Sequence, residues 1–347
     1  MRLLIAGGAG FIGSAFVRRR LATTSDEIVV LDKLTYAASG ANLDTLRANK
    51  DTRDRFRFVL GDICDAATVA ELVADADAVV NFAAESHVDR SILDSSAFLR
   101  TGVLGLHVLL EAVLAARARD AKPRRLLQVS TDEVYGPISD GTSVETDRLN
   151  PRSPYSAAKA AGDLLIAAYH ATYKLNAVLT RGANTYGPRQ HPEKFIPLFI
   201  TNAVDDQPLP LYGDGMQRRE WLFVDDHADA IGTVLDGGEA GGTYNVAGTH
   251  ECTNRQVVQS VLNRLNKPWS LVRTVPDRPA HDRRYAMDGS RLTALGWTPR
   301  VSFEAGIRVT VDWYRENEPW WRSLRDADWD EYYERQYGWR LSRSQDA

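Results

Sequence analysis

Three glycines near the start of the chain limit its fold more than any other feature. Gly7, Gly10 and Gly13 stand in "MRLLIAGGAGFIGS", between an apolar run at residues 2–6 and an amphipathic stretch from Phe11 to Leu21. Glycines at this spacing let a strand turn sharply into a helix. They also bring backbone N–H groups and the positive end of the helix close to a pyrophosphate. An ordinary strand-to-helix turn is the plainer reading, and the surrounding sequence decides against it. Asp32 ends the next strand-like run, 25 residues after Gly7, where a carboxylate can bind an adenosine ribose diol. Asp62 and Ile63, in "GDI", end the third run, where an adenine edge would lie. The charge of Asp32 opposes a 2′-phosphate and so favours NAD over NADP. Lys33 is the one contrary sign.

Apolar runs at 2–6, 27–32, 56–60, 78–83, 124–130 and 177–181 alternate with helical patterns near 65–75, 91–117 and 154–174. Continuous apolar strands separated by helices indicate a parallel sheet covered on both faces. Right-handed crossovers make it doubly wound. The expected fold is therefore α/β, a Rossmann-type doubly wound parallel sheet with a smaller C-terminal α/β substrate lobe. The boundary is expected near 185, with 1–185 binding the dinucleotide, 225–250 returning to it, and 186–347 forming mainly the second lobe. In that lobe short strands such as "PLPLYG" and "GTYNVAG" accompany helices near 225–236 and 253–266. The stretch 312–340, crowded with Trp, Tyr, Arg and acids, is expected to cap the fold as a helix.

The chain has 347 residues, 44% hydrophobic and 25% charged, with a formal net charge of -4. That balance is globular, and the charge marks no general nucleic-acid binder. Two cysteines, Cys64 and Cys252, provide neither a disulfide framework nor a zinc pattern, which suits a reducing compartment. Glycines interrupt the apolar amino end as a signal peptide, and no later run is expected to supply the roughly 20 apolar residues of a membrane span. A cytoplasmic protein without membrane, nucleic-acid or metal partners is expected.

The chemistry concentrates in "LLQVSTDEVYG", residues 126–136, where an apolar strand delivers Asp132 and Glu133 side by side. Adjacent carboxylates repel, and loss of water worsens this. A surface turn can carry them idly, whereas an active site can need both. Tyr155 and Lys159, in "SPYSAAKAAGD", share one face of a helix opened by Pro154. Lys159 and an oxidised nicotinamide are expected to lower the pKa of the phenol, fitting it to take a proton from an alcohol. An amphipathic helix with an exposed lysine would look the same in isolation. Small Ala83 and Ala84 would let a cofactor pass, and Ser86 and His87 are either polar wall or plain loop residues.

The glycine motif with Tyr155-x-x-x-Lys159 resembles the extended short-chain dehydrogenase/reductase superfamily. "STDEVYG", "LDKLTYA", "ESHVDRS", "PEKFIPLFI", "REWLFVDDH", "DRPAHDRRYAMD" and "WYRENEPWW" together resemble its dTDP-glucose 4,6-dehydratases. The resemblance implies a nucleotide-sugar substrate, dTDP- or UDP-glucose, and NAD consumed and restored in each turnover. It assigns C4 oxidation to Tyr155 with Lys159 and Thr131, C5 deprotonation to Glu133, and protonation of the leaving C6 hydroxyl to Asp132. It carries cofactor contacts to Gly7, Gly10, Phe11, Ile12, Gly13, Asp32, Lys33, Thr35, Asp62, Ile63, Ala83, Ala84, Ser86, Thr101, Ser130, Tyr155, Lys159 and Thr185. Substrate contacts fall on Ser86, His87, Asn184, Lys194, Phe195, Pro210, Tyr212, Arg219, Asn254, Arg278 and His281. A homodimer through the helices 91–117 and 154–174 is also implied. The chain departs from the family pattern at Gly102, where Asn is usual, and at Gly182, Ala183 and Thr185 in "RGANTYGP". Lost side chains there would admit a bulkier sugar or merely shift packing. An NDP-sugar 4-epimerase and a non-catalytic NAD-binding sensor are the rival readings.

Overall fold

The computed structural model describes residues 1–346. Thirteen strands and eight principal helices are used below. The first half contains β1 (Arg2–Ala6), α1 (Phe11–Thr23), β2 (Glu27–Asp32), β3 (Phe56–Leu60), α2 (Ala66–Ala74), β4 (Ala78–Asn81), α3 (Leu106–Asp120), β5 (Arg125–Thr131), α4 (Pro154–Tyr173) and β6 (Asn176–Gly182). The remainder contains β7 (Asn184–Tyr186), α5 (Phe195–Val204), β8 (Leu209–Tyr212), β9 (Arg218–Phe223), α6 (Val224–Gly237), β10 (Thr243–Val246), β11 (His250–Thr253), α7 (Asn254–Leu265), β12 (Val272–Val275), α8 (Phe303–Glu316) and β13 (Gln345–Asp346).

Seven parallel strands form the main sheet in the order β10-β6-β5-β4-β1-β2-β3. Side chains alternate between two faces, and both faces are buried. Leu3, Ile5 and Leu127 enter one core with α1 and α6; Leu4, Ala6 and Leu126 enter the other with α2, α3 and α4. Each fully buried leucine or isoleucine contributes about 1.5–3 kcal/mol. The chain leaves β1 toward β2 on one side and later resumes at β4 on the other. The strand order therefore reverses between β1 and β4, and a crevice opens beyond their carboxyl ends.

Gly7 is required at that point. Its φ is +74°, and a Cβ there would lie 2.5 Å from the backbone nitrogen of Ala83, at the end of β4. On the first face, Arg20 ties α1 to α6 through Asp236 at 2.6 Å and to Asp26 at 2.6 Å. The second lobe has two small sheets, β11-β9-β7 and β13-β12-β8, over cores that include Trp221, Phe223, Tyr314 and Trp321. The "GTYNVAG" strand β10 pairs with β6 at the edge of the main sheet.

Three expectations need correction. The helix near 91–117 is broken: Val88–Leu93 ends at Asp94, which has extended backbone and accepts a hydrogen bond from the Ser96 N–H at 2.9 Å. The helical run then restarts, passes through a π-helical turn at Arg100–Gly105, and continues into α3. This run, Ser96–Asp120, is by length and composition long and apolar enough to cross a membrane, contrary to the expectation from sequence. In the fold Leu106, Leu109, Leu110 and Val113 pack beneath the sheet. The carboxyl stretch is not one helix but α8, Glu318–Arg322 and a helical run over 327–341.

Candidate active site

β5 runs on to Thr131, whose side chain caps the short 3-10 turn Asp132–Tyr135 by accepting from the Glu133 N–H at 3.3 Å. The turn is held from behind: Arg181 donates to the Tyr135 hydroxyl at 2.7 Å and to Asp163 at 2.9 Å. Facing it, α4 begins with Pro154 and a reciprocal capping box between Ser153 and Ser156. The cap fixes the helix start, so Tyr155 and Lys159 present one face to the end of β5.

One cavity runs from the glycine loop, past these residues, into the second lobe. Every residue singled out above as a cofactor, catalytic or substrate contact lines it. At the glycine end, Asp32 accepts hydrogen bonds from the Ala9 and Leu34 N–H groups, both at 2.9 Å. A Cβ on Gly10 would meet only the Gly7 carbonyl, at 3.4 Å, so the missing side chain leaves the N-terminus of α1 open to the cavity. This is the cradle a dinucleotide pyrophosphate needs. Lys33 is engaged by Glu85 at 3.3 Å, Asp62 at 3.8 Å and the Thr101 hydroxyl at 3.2 Å, and so is not free to pair with a 2′-phosphate. Residues and cradle fit NAD.

The two neighbouring carboxyls sit in unlike surroundings. Burial pushes Asp132 up to about 8, aided by the charge of Glu133 and opposed by the Thr131 hydroxyl, which donates to it at 3.0 Å. Burial also raises Glu133, but Arg278, Arg219 and Lys194 oppose the rise. Asp132, pushed up to about 8, is suited to hold a proton at neutral pH, and Glu133 has three cations around it that favour its carboxylate. Such a split produces an acid and a base from two carboxyls.

Tyr155 is half-buried opposite the carboxyls. Burial and the charges of Glu133 and Asp132 push its phenol above the ordinary value, with only the Thr131 hydroxyl pulling it down. The Lys159 ammonium donates to the Val129 carbonyl at 2.6 Å, and burial lowers its pKa to about 8.

At the far end Arg219 lies 4.4 Å over the Tyr285 ring and donates to the Asp282 carbonyl at 2.7 Å. Arg278, Lys194 and His281 join it around the cavity. These guanidinium and ammonium groups provide charge-assisted donors suited to a diphosphate.

Sequence reasoning missed Asp89, Glu193, His227, Tyr285 and Tyr337, which also line the cavity. Asp89 lies inside "ESHVDRS", two residues after His87. The departures at Gly182 and Thr185 are filled by His227: a Cβ on residue 182 would lie 2.4 Å from its ring, and its Nδ1 hydrogen-bonds Thr185 at 2.8 Å. Packing thus takes the space beside Gly182. A Cβ on Gly102 would make ordinary contact with Ala158 at 3.6 Å.

The family described as GDP-mannose 4,6 dehydratase matches residues 4–310. The chain is also 49% identical over 334 residues to the dTDP-glucose 4,6-dehydratase of Streptomyces niveus, covering 94% of this chain and 97% of that one. The chain belongs to the nucleotide-sugar 4,6-dehydratase family. Among solved structures, the dTDP-glucose 4,6-dehydratase of Streptomyces venezuelae, with NAD bound, superposes with a TM-score of 0.89 at 50% identity, covering 93% of this chain and 100% of that one. A UDP-glucose 4-epimerase from Thermus thermophilus, also with NAD, reaches 0.82 at 32% identity, covering 91% and 100%. Dehydratase and epimerase share the fold, so the fold alone does not separate the two activities.

Proposed function

We propose that this protein is an NAD-dependent dTDP-glucose 4,6-dehydratase, a hydro-lyase that forms dTDP-4-keto-6-deoxyglucose. Bound NAD supplies the acceptor, and later the donor, of one hydride. Tyr155, with Thr131 beside it and Lys159 on the same helix face, takes the proton of the C4 hydroxyl as the C4 hydride departs. The C4 ketone acidifies C5–H, and Glu133 removes that proton. Asp132 gives its own proton to the C6 hydroxyl, which leaves as water. The resulting double bond receives the hydride at C6 and a proton at C5, so the turnover has no net redox change. Ser86, His87, Asn184, Lys194, Phe195, Pro210, Tyr212, Asn254 and His281 line the sugar and nucleoside path, and Arg219 and Arg278 take the diphosphate.

The observation that carries this reading is the placement of Asp132 and Glu133 side by side at the end of β5, both lining the cavity with Tyr155, and with Arg278, Arg219 and Lys194 around Glu133. A 4-epimerase needs C4 oxidation but has no use for an acid and a base at C5 and C6. Incubation with dTDP-glucose followed by alkali tests it. A product absorbing in the near ultraviolet supports the dehydratase; a galactose epimer, or no turnover, refutes it.

Residues 1–185 with 225–250 serve the cofactor and 186–347 mainly the nucleotide sugar, in keeping with β10 at the edge of the main sheet. The two free cysteines suit the cytoplasm. Two copies associate through the run 96–120 and α4. Leu99, Leu104 and Leu164 are 50%, 60% and 62% exposed there, an apolar surface that a second copy would cover. Sedimentation as a monomer at micromolar concentration would overturn the dimer.

A further inference from the structure

The carboxyl-terminal helical run lines the cavity with Tyr337 and backs its wall with one buried polar residue. Within 327–341 the five residues Glu334–Gly338 wind as a π-helical turn, a local widening often found at functional sites. Gln336, on this turn, is 4% exposed. Its amide donates to Asp89 Oδ2 at 2.9 Å and to the Tyr212 hydroxyl at 2.6 Å. The Tyr212 hydroxyl donates its own proton to the same Asp89 oxygen, at 2.9 Å. The other oxygen of Asp89 accepts from Arg278 Nη1 at 3.1 Å. Next along the turn, Tyr337 stacks on Tyr212 with ring centroids 6.0 Å apart and planes 26° apart.

Two cavity-lining groups, the Tyr212 ring and the Arg278 guanidinium, are thus held by partners remote in the chain. Arg278 Nε remains buried with no hydrogen-bond partner in the protein, a donor left for an acceptor in the cavity. Asp89 holds one edge of the guanidinium, and Gln336 fixes the far side of Asp89 and the Tyr212 hydroxyl together. A carboxylate that accepts three such bonds has little rotational freedom, and the groups it orients are preorganised for a ligand.

We propose that Gln336 is a positioning residue for the nucleoside diphosphate half of the substrate. Acting through Asp89 and Tyr212, it keeps Arg278 and the Tyr212 ring in the orientation that receives this half, so the carboxyl-terminal run sets substrate affinity and leaves the chemistry at Asp132 and Glu133 untouched. The proposal rests on the nucleotide-sugar reading of the cavity.

The test is a double-mutant cycle of Gln336→Leu and Tyr212→Phe in the full-length protein with NAD. It measures KM and kcat on dTDP-glucose, calorimetric affinity for dTDP alone, bound nicotinamide and Tm. Gln336→Leu is expected to raise KM and the dTDP Kd about tenfold, the scale of one lost hydrogen bond to a charged group. Its kcat is expected to stay within about twofold, the signature of lost uniform binding. Because both residues act through one carboxylate, the double variant should bind no more weakly than the weaker single variant. An unchanged KM, a fall in kcat at constant KM, or additive losses would overturn the proposal. If Gln336→Leu does not fold, Tyr212→Phe alone must reproduce the loss of dTDP affinity, and unchanged affinity in that variant refutes the proposal. Failure of the wild-type protein to convert dTDP-glucose would instead strike the functional reading, since dTDP affinity is measured separately.

Discussion

Replacing Asp132 by Asn removes a proton donor while keeping nearly the same shape. Asp132 is buried and pushed up to about 8. At pH 7, one unit below that value, the acid form outnumbers the carboxylate by about ten to one. The wild-type protein therefore meets its substrate with the donor already in place. A positioned general acid contributes about 10²–10⁴ in rate, or about 3–5 kcal/mol of barrier. Asp132→Asn is expected to lose turnover by that factor while Tyr155, Lys159 and Thr131 still oxidise C4. The loss should thus fall after the first hydride transfer. A single-turnover experiment in a stopped-flow spectrometer reads this directly, because reduced nicotinamide absorbs in the near ultraviolet. The wild-type protein should show little of that absorbance and the variant a build-up that decays slowly. Wild-type turnover in the variant, or loss of turnover without any reduced nicotinamide, would refute the assignment of Asp132 to the elimination step.

The same carboxyl predicts a pH response. kcat/KM should fall as pH rises through about 8, where Asp132 loses its proton; Lys159, also lowered to about 8, contributes to the same limb. Residual activity of Asp132→Asn measured across pH isolates the Lys159 part, and a flat wild-type profile from pH 6 to about 9 would contradict both assignments. Stability carries the opposite side of this perturbation. The folded value of Asp132 lies above its ordinary 3.8, so its burial costs nothing below that pH, and the cost grows as pH rises from 3.8 toward 8. Asp132→Asn should therefore raise Tm more at pH 8 than at pH 5, as thermal unfolding would record; an equal change at both would count against a protonated, buried Asp132. Tyr155→Phe should abolish even the transient reduced nicotinamide, since the C4 proton then has no acceptor, and any remaining build-up in stopped flow would move that role elsewhere.

Features whose chemistry is local were legible in the sequence. The glycine loop is one turn long, and its spacing encodes both the strand-to-helix bend and the exposed N-terminus of α1. Tyr155 and Lys159 share a helix, so a four-residue spacing placed them together. The neighbouring carboxyls were visible as neighbours, but their unlike surroundings were not, because these depend on burial and on Arg219 and Arg278, far along the chain. Nor does any spacing reveal that the ammonium of Lys159 donates to the Val129 carbonyl. Asp89 and Gln336 meet across 247 positions. His227 was seen only as part of a motif, although its ring occupies the space beside Gly182. The break at Asp94 was readable in principle, since an Asp two residues before a helical run is a turn-former and helix-capping signal.

Isotope transfer within one sugar tests the account most directly. dTDP-glucose carrying deuterium at C4 is incubated with the protein, and the product is examined by NMR. The account predicts a 4-keto sugar whose new C6 methyl group carries that deuterium, moved from C4 through the nicotinamide after water has left. Deuterium found still at C4 of an epimerised hexose, or a C6 that keeps its hydroxyl, would contradict it.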